Sequence, residues 1–347
     1  DQPRAGQGLR SRREILCLHV LQESPGAGAF GRPWFLGPLR RDLRIMVDES
    51  TLSKWTGRAS DTEQDRYNRT KDRINKAIEA YEPLSKWDFK VYPKGSYPNF
   101  TNVVRDSDVD IAVELTGLVN YSFDHGAKGL TMADIGRSSY QGDYGLAAFK
   151  DDVEQAMRQY FSSDAVRRGN KAIEIAPGPS GLPADVVPCQ SHRQVIKPDG
   201  TFRQGIRLRD DSNPLKKLIN YPVQHLQRGI EKNDRTQRRY KRVVRILKRL
   251  ENQMVDEGLI TPVASFMIES AVWSVTDAAF NDYSTWKSRV REVLRLIYNG
   301  TQDADCVSSK DWFEANGIKF LFHGSQPWTW QQAHGFADKA WDYMGFD

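Results

Sequence analysis

The pattern of apolar and polar residues is clearest at residues 108–113, where Asp108, Val109, Asp110 and Ile111 alternate and two more apolar residues follow. Alternation with a period of two predicts a β-strand whose successive side chains point to opposite faces. Asp108 and Asp110 therefore share one face of this strand. Further strands are predicted at residues 89–92, 171–176 and 184–187, and a hairpin is predicted at residues 194–208.

Apolar positions that recur at helical spacing predict a set of helices. The first, at residues 61–81, has Ser60 or Asp61 placed to cap its start. The others are predicted at residues 144–163, 235–254, 261–280, 286–298 and 328–344. Residues 116–145 are polar and glycine-rich, which predicts a long insertion that is either a lid over a site or a surface loop without a role.

The two acids of the strand predicted at residues 108–113 suggest a metal site. Two carboxylates on one face repel each other, and a divalent cation bound through their oxygens relieves that repulsion. Eleven residues separate Asp108 from the preceding Gly95-Ser96, where glycine allows close approach of the backbone and the serine hydroxyl can hold a phosphate oxygen. Asp185 is a lone acid among the apolar residues of another strand, so it is either an ion-pair partner or a third ligand. A polar hairpin with surface acids is the simpler alternative.

These residues carry a resemblance to a known family. Gly95, Ser96, Asp108 and Asp110 resemble the signature of polymerase-β-like nucleotidyltransferases, in which a third Asp, here Asp185, comes from a neighbouring strand. The surrounding segments resemble the bacterial cGAS/DncV-like nucleotidyltransferases (CD-NTases): KGSYPN, DSDVDI, DVVPC, YKRVVRILKRL and SFMIES. The likeness extends from about residue 63 to residue 344.

The resemblance implies a fold and an activity. The fold is α+β: a polymerase-β-like core with a mixed sheet, flanking helices and a long N-terminal spine helix, plus a C-terminal helical lobe. The activity is synthesis of a cyclic di- or trinucleotide second messenger from nucleoside triphosphates (ATP, GTP, UTP or CTP), with release of pyrophosphate, in antiphage (CBASS-type) signalling. A downstream effector would respond to the product, and a regulatory partner protein would act on the enzyme.

The resemblance also assigns roles to residues. Asp108 and Asp110 would bridge two Mg²⁺ ions, with Mn²⁺ as the alternative metal, and Asp185 would bind the catalytic ion and help take the proton from the attacking sugar hydroxyl. Nucleotide contacts are assigned to Gly95, Ser96, Lys248, Ser265 and Phe266. Of these, Lys248 would reach the donor triphosphate, and Phe266 would stack on the donor base.

Residues 238–249 of the predicted helix at residues 235–254 carry seven cations besides the apolar stripe. A charge on such a helix is usually solvated. We therefore expect at least five of the seven to lie in solvent and one or two to face the nucleotide. They are Arg238, Arg239, Lys241, Arg242, Arg245, Lys248 and Arg249.

Composition divides the chain into three predicted parts. Residues 1–45 are rich in Gly, Pro and Arg, which predicts a disordered extension or a mis-assigned start ahead of Met46. The nucleotidyltransferase core is expected at residues 46–230 and the helical lobe at residues 231–347. The net charge is +5, but residues 1–45 hold eight Arg and four acids, which leaves 42 basic and 41 acidic residues from Met46 onward.

The near-neutral body bears on the competing functions. One alternative is a template-independent nucleotidyltransferase acting on RNA or protein, and another is an inactive nucleotide-binding module. An RNA-tailing enzyme needs a basic channel for its polymer, which this charge balance disfavours, and no stable nucleic-acid complex is expected. Three cysteines scattered singly along the sequence, with no paired spacing, indicate a reducing, cytoplasmic location, and no apolar run approaches the roughly 20 residues that a membrane span needs.

Overall fold

The computed structural model describes residues 47–58, 60–103, 108–179 and 181–346. The predicted extension at residues 1–45 lies outside these ranges. The helices are α1 (Glu49–Trp55), α2 (Asp61–Glu79), α3 (Ser96–Asn99), α4 (Leu146–Phe161), α5 (Pro222–Arg235), α6 (Tyr240–Asp256), α7 (Ser265–Ser274), α8 (Ala278–Asn281), α9 (Trp286–Asn299), α10 (Ala304–Ser308) and α11 (Trp330–Tyr343). None of the helices in the described part is both long and apolar enough to cross a membrane.

Within the described residues, seven strands form one mixed sheet. They are β1 (Phe89–Pro93), β2 (Val109–Phe123), β3 (Val166–Arg168), β4 (Ile173–Ile175), β5 (Ala184–Val195), β6 (Phe202–Leu208) and β7 (Leu218–Asn220). β5 lies at the centre, parallel to β2 along one side and antiparallel to β4 and then β6 along the other. β1 extends the sheet beyond β2, and the predicted hairpin is β5–β6.

The alternation in β2 separates the core from the cleft. Val109, Ile111 and Val113 are fully buried in a cluster with Ile74 of α2 and Phe149 of α4. Burying these side chains is favourable by roughly 25 cal/mol per Å² of apolar surface. The even-numbered residues consequently point to the other face, which carries Asp110.

A second core joins the C-terminal helices. The apolar stripe of α6, including Val243 and Leu247, packs with residues of α7, α9 and α11. Leu52 of α1 belongs to the same cluster, so the first helix packs on the helical lobe although it precedes the sheet in sequence. The predicted division between residues 230 and 231 falls inside α5.

Three predicted elements have different bounds in the structure. The helix predicted at 235–254 starts at Tyr240, because Gln237 and Arg238 adopt positive φ angles of 50° and 63° between α5 and α6. The helix predicted at 261–280 is two helices, α7 and α8, with extended backbone at Val275 between them. The predicted insertion at 116–145 is partly strand, since pairing with β5 carries β2 to Phe123.

Candidate active site

A cleft of about 1130 Å³ lies between the sheet and the helical lobe. The eight residues predicted from the sequence line it together: Gly95, Ser96, Asp108, Asp110, Asp185, Lys248, Ser265 and Phe266. The first five come from the sheet side and the last three from helices α6 and α7. Residues that lie up to about 170 positions apart in the sequence are thus brought to one site, while their individual roles remain predictions.

The two strand carboxylates are set opposite each other by the sheet register. Asp110 of β2 and Asp185 of β5 are direct partners in the parallel pairing, and Asp108 lies just before the first residue of β2. Side chains at paired positions of neighbouring strands point to the same face. The register therefore places both carboxyl groups at the same level of the sheet, on the face toward the cleft.

The electrostatics of this group reflect its crowding. Burial, followed by the neighbouring charges of Asp110 and Asp108, raises the pKa of Asp185 to about 6. The positive charge of Lys94 partly offsets this increase in the pKa of Asp185. Nζ of Lys94 also donates a 2.9 Å hydrogen bond to Oδ1 of Asp110. An excess of negative charge remains at the ends of these strands.

A divalent cation fits this donor set chemically. The three Asp side chains supply carboxylate oxygens, the ligands that Mg²⁺ and Mn²⁺ prefer, and their mutual repulsion would be relieved by a positive ion. Among the described residues, no three acidic, imidazole or thiol side chains already converge on one point. Lys94 instead supplies positive charge to Asp110.

Gly95 is required by its contact with Asp110. Its φ of 76° lies in the left-handed region, and a Cβ atom added there would lie 2.2 Å from Oδ2 of Asp110. Any larger residue would push the carboxylate away from its position. Ser96 follows as the first residue of α3, and its carbonyl oxygen accepts a 3.0 Å hydrogen bond from the backbone N–H of Thr101.

The opposite wall is formed by the helical lobe. Lys248 of α6 is only 2% exposed, and its Nζ lies 3.4 Å from Oε2 of Glu269 in α7. Ser265 is the first residue of α7. The ring of Phe266 lies edge-on to His225, with 5.3 Å between ring centres, and is tilted against Trp328 at 5.7 Å.

Glu269 was not among the residues predicted for the site. Its Oε1 lies 2.8 Å from Nε2 of His225, and its Oε2 accepts a 2.7 Å hydrogen bond from the hydroxyl of Thr101. Burial alone would raise the pKa of Glu269, but Lys248, His225 and Thr101 together lower it to about 2. A lone acid in the apolar run SFMIESAVWS was the available signal, the same kind of signal that pointed to Asp185.

The expectation that at least five of the seven cations would be solvated is wrong. Lys241, Arg245 and Lys248 are buried and two others are half-buried, which leaves Arg238 and Arg242 exposed. Arg245 illustrates the cause, since its guanidinium donates to the carbonyl oxygens of Thr56 and Phe100. Backbone acceptors from segments remote in sequence satisfy this charge, and helical periodicity does not reveal them.

Comparison with known proteins identifies the family. Residues 227–345 match the cGAS/DncV-like nucleotidyltransferase C-terminal helical domain. A cyclic dipyrimidine nucleotide synthase, CdnE, from Legionella pneumophila is 35% identical over 301 residues, covering 85% of this chain and 97% of the relative. The chain belongs to the bacterial cGAS/DncV-like nucleotidyltransferases. A second CD-NTase, the cyclic dipyrimidine nucleotide synthase CdnE of Cecembia lonarensis, is 33% identical and covers 86% of this chain and 98% of the relative.

A solved CD-NTase structure shares the fold. The CdnE cyclic dinucleotide synthase of Elizabethkingia meningoseptica, solved with GTP and Apcpp, matches with a TM-score of 0.69 and 30% identity. The match covers 86% of this chain and 99% of that structure. The predicted family and the predicted α+β fold with a C-terminal helical lobe are therefore confirmed.

The far end of the cleft in this CD-NTase carries a polar network that the sequence did not suggest. Nε2 of His192 lies 3.2 Å from the hydroxyl of Ser122, and Gln194 links Asp124 to the hydroxyl of Tyr221. Burial and a neighbouring arginine lower the pKa of His192 to about 4, so its ring is neutral at pH 7. All five side chains line the cleft.

Proposed function

We propose that this CD-NTase joins nucleoside triphosphates into a cyclic dinucleotide and releases pyrophosphate. One observation carries the proposal: the paired carboxylates of Asp110 and Asp185 share a single cleft with Ser96 on the sheet side and Lys248 on the helical side. This arrangement combines acidic metal ligands with phosphate-binding groups from two lobes. Support also comes from the relatives, which are named as cyclic nucleotide synthases and align with this chain over nearly their whole length.

Asp108, Asp110 and Asp185 would hold Mg²⁺, or Mn²⁺ in its place. When bound, the metal would activate the attacking hydroxyl and offset charge on the leaving pyrophosphate. Asp185 would accept the proton of the attacking sugar hydroxyl.

The remaining residues would position the donor nucleotide. The Gly95-Ser96 turn would contact the terminal phosphates through backbone N–H groups and the serine hydroxyl, and Lys248 and Ser265 would contact them from the helical lobe. Phe266, whose ring is fixed by its neighbours, would stack on the donor base. The polar network at the far end of the cleft would face the second nucleotide.

Two of the relatives favour one product class. Both curated relatives described above are named dipyrimidine nucleotide synthases, whereas the solved relative is a structure with GTP and Apcpp. We therefore propose a cyclic product of two nucleotides that contains pyrimidine bases. Its expected role is that of a second messenger that acts on a downstream effector in antiphage (CBASS-type) signalling in the cytoplasm, with a regulatory protein as partner.

The test is to incubate the purified protein with all four nucleoside triphosphates and Mg²⁺ and without any polymer. We expect small, phosphatase-resistant products whose mass corresponds to a cyclic dinucleotide. The Asp108→Asn/Asp110→Asn double variant should remain folded by circular dichroism and form none, while Asp72→Asn, an exposed acid on α2, should behave as the parent.

Other outcomes would overturn the proposal. Products that form only after RNA or a protein acceptor is supplied would indicate an RNA- or protein-modifying transferase. Nucleotide binding without any product would indicate an inactive binding module. Equal yields from the parent and the double variant would remove the carboxylates from the mechanism.

A further inference from the structure

Glu269 lies at the junction of the two lobes. The residue is 3% exposed and lines the cleft, and its carboxylate contacts Thr101 from the sheet side together with His225 of α5 and Lys248 of α6. Because its pKa is about 2, it is ionised at neutral pH and accepts hydrogen bonds from all three.

These contacts are unequal. The hydrogen bonds with Thr101 and His225 are 2.7 and 2.8 Å long, whereas Nζ of Lys248 lies 3.4 Å from the same carboxylate. The carboxylate is therefore anchored without the lysine. Lys248 has the longest of the three contacts and the most flexible side chain, so it is the partner that can leave at the lowest cost.

A buried ammonium group needs an anionic partner, since an unpaired buried charge is strongly destabilising. Among the described residues, Glu269 is the carboxylate within ion-pair distance of Lys248. A carboxylate and a terminal phosphate offer a lysine the same kind of oxygen acceptors. The carboxylate thus supplies in the nucleotide-free cleft what a triphosphate would supply in the occupied one.

We propose that Glu269 is an internal counter-ion that competes with the triphosphate for Lys248 and so weakens the grip of the cleft on nucleotide and pyrophosphate. This inference rests on the proposed function, in which Lys248 contacts the donor triphosphate. Glu269 acts through Lys248 and is a positioning residue. During turnover, Glu269 promotes release of pyrophosphate, because Lys248 can exchange the pyrophosphate for the Glu269 carboxylate.

The experiment uses inorganic pyrophosphate in Mg²⁺, a probe that does not depend on which base the enzyme prefers. Glu269→Gln keeps the side-chain shape but removes the charge. By isothermal titration calorimetry we expect this variant to bind pyrophosphate about tenfold more tightly, the size expected for a charge-assisted contact. Its melting temperature without pyrophosphate should fall, because Lys248 then lacks a buried partner.

Two further variants isolate the mechanism. Lys248→Met should weaken pyrophosphate binding, and adding Glu269→Gln to it should cause no tightening, because the two changes act through one contact. Glu314→Gln is the matched control: Glu314 is another buried carboxylate of the cleft and pairs with Lys319 at 3.2 Å. Its pyrophosphate affinity should stay within twofold of the parent.

The inference is overturned if Glu269→Gln binds pyrophosphate as the parent does or more weakly, if the tightening persists in the Lys248→Met background, or if Glu314→Gln tightens binding equally. Failure of the proposed function would look different. Pyrophosphate binding unaffected by Lys248→Met would remove the lysine from the phosphate site, and the absence of cyclic products from the parent would reject the synthase activity itself.

Discussion

The ammonium nitrogen of Lys94 lies 2.9 Å from Oδ1 of Asp110, one of the three carboxylates that we expect to hold metal. The ammonium group of Lys94 is therefore paired with a carboxylate oxygen that a metal ion would need as a ligand. Lys94 offsets the repulsion among the acids, and it must compete with any ion that binds them.

This competition predicts the behaviour of Lys94→Met. Without the ammonium group, the carboxylates should bind Mn²⁺ about tenfold more tightly, because no protein charge has to be displaced. The metal-free variant should melt at a lower temperature than the parent, and added metal should raise its melting temperature by more. Free Mn²⁺ measured by electron paramagnetic resonance gives the affinity. Lys90→Met, at an exposed position of β1, the strand that precedes Lys94, should change neither quantity.

Gly95→Ala should damage the site more than a comparable glycine substitution elsewhere. Gly95 and Gly129 both have positive φ, so alanine is strained by about 1 to 3 kcal/mol at either position. Only the Gly95 substitution places a Cβ against Asp110, since nothing lies within 4 Å of the corresponding atom at Gly129. We expect about a hundredfold loss of synthesis in Gly95→Ala and near-parental synthesis in Gly129→Ala. Similar activities in the two variants would show that the Asp110 contact is unimportant.

Lys248→Met should reduce synthesis at subsaturating nucleotide. Loss of a charge-assisted contact costs about 1.5 to 3 kcal/mol, which corresponds to roughly a ten- to hundredfold decrease. Lys248→Arg keeps the charge and should recover part of the activity. Arg242→Ala, which removes an exposed cation of the same helix, should have little effect. An unchanged rate of synthesis in Lys248→Met would mean that the lysine only pairs with Glu269 and does not contact the nucleotide.

The low pKa of Glu269 predicts an acid-dependent contribution to stability. The folded-state pKa is about 2, below the unfolded value of 4.5, so its charge stabilises the fold above pH 4.5 and this contribution is lost as the pH falls toward 2. The difference in free energy of unfolding between the parent and Glu269→Gln should be largest at neutral pH and shrink over that range. Urea denaturation at a series of pH values measures it, and a difference independent of pH would contradict the assigned charge.

Local patterns predicted the strand carboxylates well because the information lies within a few residues. Alternation placed Asp108 and Asp110 on one face, and a lone acid in an apolar strand singled out Asp185. Their approach to each other depends on a register between strands about 75 residues apart, which no local pattern contains. The resemblance to a family supplied that link.

Other features could not be predicted because they depend on remote partners. Gln237 and Arg238 lie between α5 and α6 with positive φ angles, although neither is a glycine. Arg245 is buried because backbone carbonyls from Thr56 and Phe100 accept its hydrogen bonds. The sequence marks Glu269 as a lone acid in an apolar run, but its partners Thr101, His225 and Lys248 come from three other segments.

The parallel pairing of β2 with β5 also has a consequence for the order of folding. Asp110 and Asp185 become neighbours only after the chain between them, including α4, β3 and β4, has crossed from one strand to the other. Contacts of this sequence separation form slowly, because the entropy of closing the loop must be overcome first. A nascent chain that has not yet emerged beyond β5 has no assembled carboxylate pair, and so we expect no nucleotide to be consumed until synthesis of the sheet is complete.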